Sequence, residues 1–175
     1  MSLMNKAELG SQIYTASHLT GRFELHSGIM SDEYFDKYQF ESNPTLLKEV
    51  ARQMAQLVPS DTDILAGLEM GGISLSTALS LETGLPQVQV RKEAKKYGTK
   101  KLAEGPDIAG KNLTIVEDII TTGKQIILSA NDLRILGANV EYALGVLERN
   151  PKARENLQEN KIKLITLFTA EELAK

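Results

Sequence analysis

Short apolar runs alternate with longer stretches in which apolar residues recur every three or four positions, and this alternation sets the first expectations about the fold. Asp63 to Gly67, Gln87 to Val90, Leu113 to Val116, Val140 to Val146 and Ile162 to Leu167 are the short runs. They are four to seven residues long, as expected of strands in a covered sheet. Thr45 to Leu57 carries apolar residues at Leu46, Leu47, Val50, Ala51, Met54 and Leu57, the recurrence of one helix face. Asn43-Pro44 ahead of it supplies a helix start. Helices are likewise predicted over Lys6 to Ser17, Ile73 to Glu82, Lys124 to Leu136 and Pro151 to Glu159. Nearer the N-terminus, Gly21 to Gly28 and Tyr34 to Tyr38 suggest two strands around a turn. Strands alternating with helices predict an α/β fold with a doubly wound, mostly parallel sheet. Glu93 to Gly110 shows neither rhythm; a loop of that length in a compact domain is usually functional or mobile.

Composition narrows the class. A chain of 175 residues holds one full core and is too short for two ordinary domains, so residues 1–175 are expected to form a single domain. A 42% apolar and 25% charged composition is that of a soluble globular protein. No apolar run approaches a membrane-spanning length, and the N-terminus lacks a basic start followed by a hydrophobic stretch; a cytoplasmic location is expected. The chain has no cysteine, which excludes disulfides and thiolate chemistry. Two histidines, His18 and His26, make a zinc site improbable. From Arg91 to Lys101 there are six basic residues and one acidic one, a local +5 in a chain of net charge -3. Such an island in an acidic protein points to a small polyanionic ligand rather than a nucleic-acid face.

The candidate chemistry lies between Thr114 and Gln125. An apolar strand is followed by Glu117-Asp118, then Ile119-Ile120, then Thr121-Thr122-Gly123, then the helix from Lys124. Ligands of such sheets sit at the carboxyl ends of the strands. Two ionised carboxylates accept hydrogen bonds only, which suits the neighbouring hydroxyls of a ribose ring. A phosphate would sit one turn further on, at the Thr-Thr-Gly backbone and the positive end of the helix. Gly123 also removes a Cβ that would hold an anion away. Any one of these residues alone would pass as a solvated strand end or an ordinary helix cap; the ordered set is what points to a site. Gly71-Gly72, after another strand, could present N–H groups to a pyrophosphate or simply allow a tight strand-to-helix turn. No Walker A loop and no dinucleotide fingerprint occurs.

The run from Thr114 to Gln125 resembles the phosphoribosyl pyrophosphate (PRPP) signature of type I phosphoribosyltransferases. Gly67 to Leu81, the Arg91-Lys92-Glu93-Ala94-Lys95-Lys96-Tyr97-Gly98 stretch and Arg149 extend the resemblance to the orotate phosphoribosyltransferase family, over about Ser17 to Leu173. The acidic signature is common to the superfamily, whereas the Arg-Lys-Glu-Ala-Lys segment is specific to the orotate branch. The resemblance implies a small hood over about residues 4–40 and a core over about 44–173. It implies that Glu117 and Asp118 serve the ribose and that Ile119, Ile120, Thr121, Thr122, Gly123, Lys124 and Gln125 bind PRPP. Arg91, Lys92 and Lys95 are implied to close over the pyrophosphate, with Lys95 catalytic, while Thr121 and Arg149 take orotate. Tyr97 and His26 stand where many family members carry histidine and lysine, respectively. Tyr34, Phe35, Asp36 and Lys37 could face the base, although aromatic residues in a hairpin more often pack. His18 is taken as incidental.

The implied reaction is displacement of pyrophosphate from PRPP by a ring nitrogen of orotate, giving orotidine 5'-monophosphate for UMP synthesis. Mg2+ would be held mainly by PRPP, with no dedicated metal ligands. The implied assembly is a homodimer whose loop residues are shared between subunits, and neither nucleic acid nor membrane is an expected partner. The rival readings are transfer to another base and a non-catalytic PRPP sensor. The sensor would keep the acidic signature but would not need the basic loop.

Overall fold

The computed structural model describes residues 4–25, 28–94 and 101–173. Helix α1 (Lys6–Ser17) leads into β1 (His18–Glu24) and β2 (Met30–Phe35), followed by α2 (Tyr38–Glu41), α3 (Pro44–Ala55), β3 (Ile64–Leu68), α4 (Gly71–Thr83) and β4 (Gln87–Val90). Then come β5 (Ala103–Glu104), β6 (Asn112–Ile120), α5 (Lys124–Ile135), β7 (Asn139–Glu148), α6 (Lys152–Glu159), β8 (Lys163–Thr169) and α7 (Ala170–Leu173). The main sheet runs β5-β4-β3-β6-β7-β8, and all its pairings are parallel except that of β5 with β4. Strands β1 and β2 form a separate antiparallel hairpin.

Alternation along the strands covers both faces of the main sheet. In β3, Ile64, Ala66 and Leu68 join Ile115, Leu133 and Leu157 on one side, while Leu65 joins Leu9, Val50, Leu75 and Phe168 on the other. Helices α5 and α6 pack over β7 and β8, and α4 packs over β3 and β6 with α3 behind it. Local chemistry starts the helices where the sequence places them. Asn43 Oδ1 accepts from the N–H groups of Thr45 at 3.0 Å and Leu46 at 3.2 Å, with Pro44 in the first turn of α3. Asn5 and Glu8 close a reciprocal capping box on α1.

Several expectations need correction. The strand expected to stop at Val116 continues to Ile120, so Glu117 and Asp118 lie inside β6 rather than beyond it. The cause is the ladder with β7, which continues through Glu117↔Gly145, Ile119↔Leu147 and Ile120↔Glu148. The stretch from Glu93 to Gly110 is not wholly without regular structure, because Ala103–Glu104 adds an antiparallel edge to β4. The one-turn helices α2 and α7 were not expected, being too short to show a periodicity. Among the described residues no helix is long and apolar enough to cross a membrane.

Candidate active site

The carboxyl end of β6 carries the acidic pair into a confined space. Asp118 is 1% exposed; its Oδ1 accepts from the N–H of Ile119 at 2.5 Å, and its Oδ2 lies 2.5 Å from Lys37 Nζ. Glu117 is partly exposed, and its Oε1 accepts from the N–H of Asp118 at 3.1 Å. Burial, then the negative charge of Asp118, push the Glu117 carboxyl up to about 8. The two acids are therefore unequal. Glu117 can be approached from solvent, whereas Asp118 is covered by Lys37.

Two further residues complete this cluster: Lys37, which the sequence marked only as a residue that could face the base, and Glu41, which it did not mark. Lys37 precedes α2 and Glu41 ends it, one helical turn apart. Burial opposes the charge on Lys37, but the hydrogen bond and charge of Asp118 outweigh it and hold the ammonium above its usual range. Glu41 is buried; its Oε2 accepts a long 3.4 Å bond from Ser74 Oγ, and no N–H or hydroxyl of the described residues donates to its Oε1. Desolvation, with the adjacent Asp118 second, raises the Glu41 carboxyl to about 8. The available signal was a Lys-x-x-x-Glu spacing behind the hairpin, which is too common to identify a site.

The glycines at the start of α4 are explained by contact. A Cβ on Gly71 would fall on Asp118 Oδ2 and stand 3.0 Å from Glu41 Oε1, and one on Gly72 would run into the Val116 carbonyl oxygen. Of the two readings left open for this turn, tight packing of α4 on β6 thus has a visible cause. Gly123, at φ 75°, adopts a left-handed backbone, and a Cβ there would press on Leu157 at 2.9 Å. Thr121 and Thr122 are exposed in the turn between β6 and α5, where Asn156 Nδ2 donates to the Thr122 carbonyl at 2.9 Å. Ile119 and Ile120 belong to the strand. Lys124 and Gln125 open α5, with Gln125 Nε2 donating to Ser129 Oγ at 3.2 Å.

The remaining candidates are dispersed around this end of the sheet. Arg149 is exposed, and its N–H donates to the Ile120 carbonyl at 2.8 Å. With Tyr34 and Phe35 of the hairpin it lines a cavity of about 370 Å³. His18 lines the same cavity; it stacks on Tyr14 at 4.7 Å, so it is a packed residue of the hairpin base. Arg91 Nε lies 3.3 Å from Glu104 Oε1, and the N–H of Lys92 donates to Glu69 Oε1 at 2.7 Å; neither reaches Asp118 in the contacts seen. Lys95, Lys96, Tyr97, Lys100 and His26 lie outside the described residues. A larger cavity of about 980 Å³ follows Val140 and Lys163 at the opposite ends of β7 and β8, away from this chemistry.

Residues 37–171 match the phosphoribosyl transferase domain family model. The chain is 45% identical over 167 residues to an orotate phosphoribosyltransferase of Nocardioides sp., covering 95% of this chain and 93% of that protein. It is 41% identical over 153 residues to one of Halobacterium salinarum, covering 87% of each. Among solved structures, orotate phosphoribosyltransferase of Mycobacterium tuberculosis in complex with Fe(III) dicitrate superposes with a TM-score of 0.87 at 26% identity, covering 97% of this chain and 99% of that one. The chain therefore belongs to the phosphoribosyl transferase domain family, in its orotate phosphoribosyltransferase branch.

Proposed function

We propose that the protein transfers the phosphoribosyl group of PRPP to orotate, giving orotidine 5'-monophosphate and pyrophosphate in UMP synthesis. The observation that carries this reading is the hydrogen bond from the Arg149 N–H to the Ile120 carbonyl. That backbone bond holds the main chain of Arg149, which lines the hood cavity with Tyr34 and Phe35, at the end of β6 where the Thr-Thr-Gly turn begins. Glu117 accepts the ribose hydroxyls, with the buried charge of Asp118 behind it. Thr121, Thr122 and Gly123 seat the 5-phosphate at the start of α5, and Gly71-Gly72 border the pyrophosphate. The ring nitrogen of orotate gives up its proton to solvent water and forms the bond to the anomeric carbon, and pyrophosphate leaves with the electron pair of the broken C–O bond. Positive charge grows on the sugar and negative charge on the leaving group, so carboxylates near the first and cations near the second lower the barrier. Arg91, Lys92 and Lys95 supply the cations. Mg2+ would be held mainly by PRPP and would add positive charge at the leaving group. The reading includes one domain with its hood, a cytoplasmic setting, and a homodimer in which the basic segment of one copy serves the site of the other.

Orotate absorbance in the ultraviolet, followed with PRPP and Mg2+ and with adenine, hypoxanthine and uracil as parallel bases, tests the assignment. Orotate alone should be consumed. Arg149→Ala should lower kcat/KM for orotate about 10- to 100-fold, the worth of a charge-assisted hydrogen bond to a substrate carboxylate. PRPP binding without consumption of any base would replace the enzyme reading with a PRPP sensor.

A further inference from the structure

We propose that Lys37 and Glu41 are positioning residues of the transfer reaction: together they fix Asp118 against Gly71, where the ribose carboxylates meet the pyrophosphate turn, and Glu41 does so as a proton donor. The proposal rests on the function given above. Its geometry does not.

Asp118 Oδ2 is contacted from two elements. Lys37 Nζ reaches it at 2.5 Å from the chain that leaves the hairpin, and the backbone of Gly71 in α4 approaches so closely that a methyl group there would overlap it. Glu41 Oε1, from α2, stands beside the same point. Two buried carboxylates in such proximity repel unless one keeps its proton. The groups around Glu41 say which way this is resolved. Lys37 offers one ammonium to the group of carboxyls, Ser74 Oγ gives Glu41 Oε2 only a 3.4 Å bond, and Oε1 receives nothing from an N–H or hydroxyl of the described residues. A protonated Glu41 donating to Asp118 satisfies both carboxyls, and its raised ionisation, near 8, agrees. Glu117, the other acid within range, is also raised to about 8, but its task as a hydroxyl acceptor calls for the ionised form. The two ionisations therefore act in opposite directions. Losing the Glu117 proton favours the sugar; losing the Glu41 proton sets a second anion against Asp118 and drives it off Gly71.

The test is the pH dependence of kcat/KM for PRPP, which reports ionisations of the free enzyme. The native protein should give a bell-shaped profile with both limbs near pH 8. Glu41→Gln, whose amide still donates but does not titrate, should weaken kcat/KM about twofold to threefold at neutral pH and abolish the alkaline fall, leaving the acid limb intact. Glu41→Ala and Lys37→Met should lower it about 10- to 100-fold, and Lys37→Arg should recover part of the loss. A merely structural role would not remove one limb and spare the other. An alkaline limb unchanged in Glu41→Gln, or a Glu41→Ala protein indistinguishable from the native one, would overturn the proposal. Carbon NMR of labelled carboxyl groups in the ligand-free protein separates the two levels. A Glu41 titration near pH 8 in a protein that neither binds PRPP nor consumes orotate would overturn the function and with it the positioning role, while showing that the proton is there.

Discussion

At Gly71 a single hydrogen atom separates a folded site from a collision. Gly71→Ala would push its methyl onto Asp118 Oδ2, with Glu41 Oε1 only 3.0 Å away, and Asp118 cannot retreat because Lys37 and the Ile119 N–H hold it. Overpacking of this kind costs about 1 to 3 kcal/mol. Urea unfolding should show that loss, and the KM for PRPP should rise with it; an unchanged midpoint would mean that the α4 turn can slide. This part of the site was only half legible in the sequence. Adjacent glycines before a helix announced a close approach, but not of what, since the approaching atoms belong to β6 and α2. The pairing of Lys37 with Glu41 carried still less signal: Lys37 stood out only as a residue that could face the base, and a lysine and a glutamate one turn apart are ordinary until a distant aspartate is folded between them.

Among the elements, those bounded by local caps and turn residues were the readable ones. Helix α1 and strand β4 fall on the expected residues, because their caps and their flanking turn residues are local. The far end of β6 was not readable, because nothing in Glu117-Asp118 favours a strand; β7 supplies the hydrogen bonds that keep it extended. The following turn depends on Gly123, which joins β6 to α5 at φ 75° with Leu157 of α6 against it. Gly123→Ala should therefore cost about 1 to 2 kcal/mol from the left-handed backbone alone. It should also displace Leu157, and so loosen α6, which amide hydrogen exchange along Lys152–Glu159 would report. Exchange in α6 matching the native rate would show that the turn absorbs the methyl locally.

For the whole molecule, the buried acids set the response to pH. Glu41 and Glu117 rise from 4.5 to about 8 on folding, so between those values the native state binds more protons than the unfolded chain. Their contribution to stability is fully present below about pH 4.5 and is lost as pH rises through about 8. Glu49, lowered by its hydrogen bond with Arg52, works the other way and favours folding above its unfolded range. Stability of the ligand-free protein should thus fall from mildly acidic to alkaline pH, as urea midpoints near pH 5, 7 and 9 would show, and Glu41→Gln should flatten the decline. A rise over that interval would contradict the protonated Glu41. The Arg149 to Ile120 bond has a consequence for substrate choice. Because the two residues share a backbone rung at the end of a continuous ladder, the sheet holds the main chain of Arg149, the proposed base-side residue, at a set distance from the Thr-Thr-Gly turn. An analogue longer or shorter than orotate would have to tilt within that distance, carrying its ring nitrogen off the line of attack, so discrimination by length would appear in the rate of transfer even for a base that binds well.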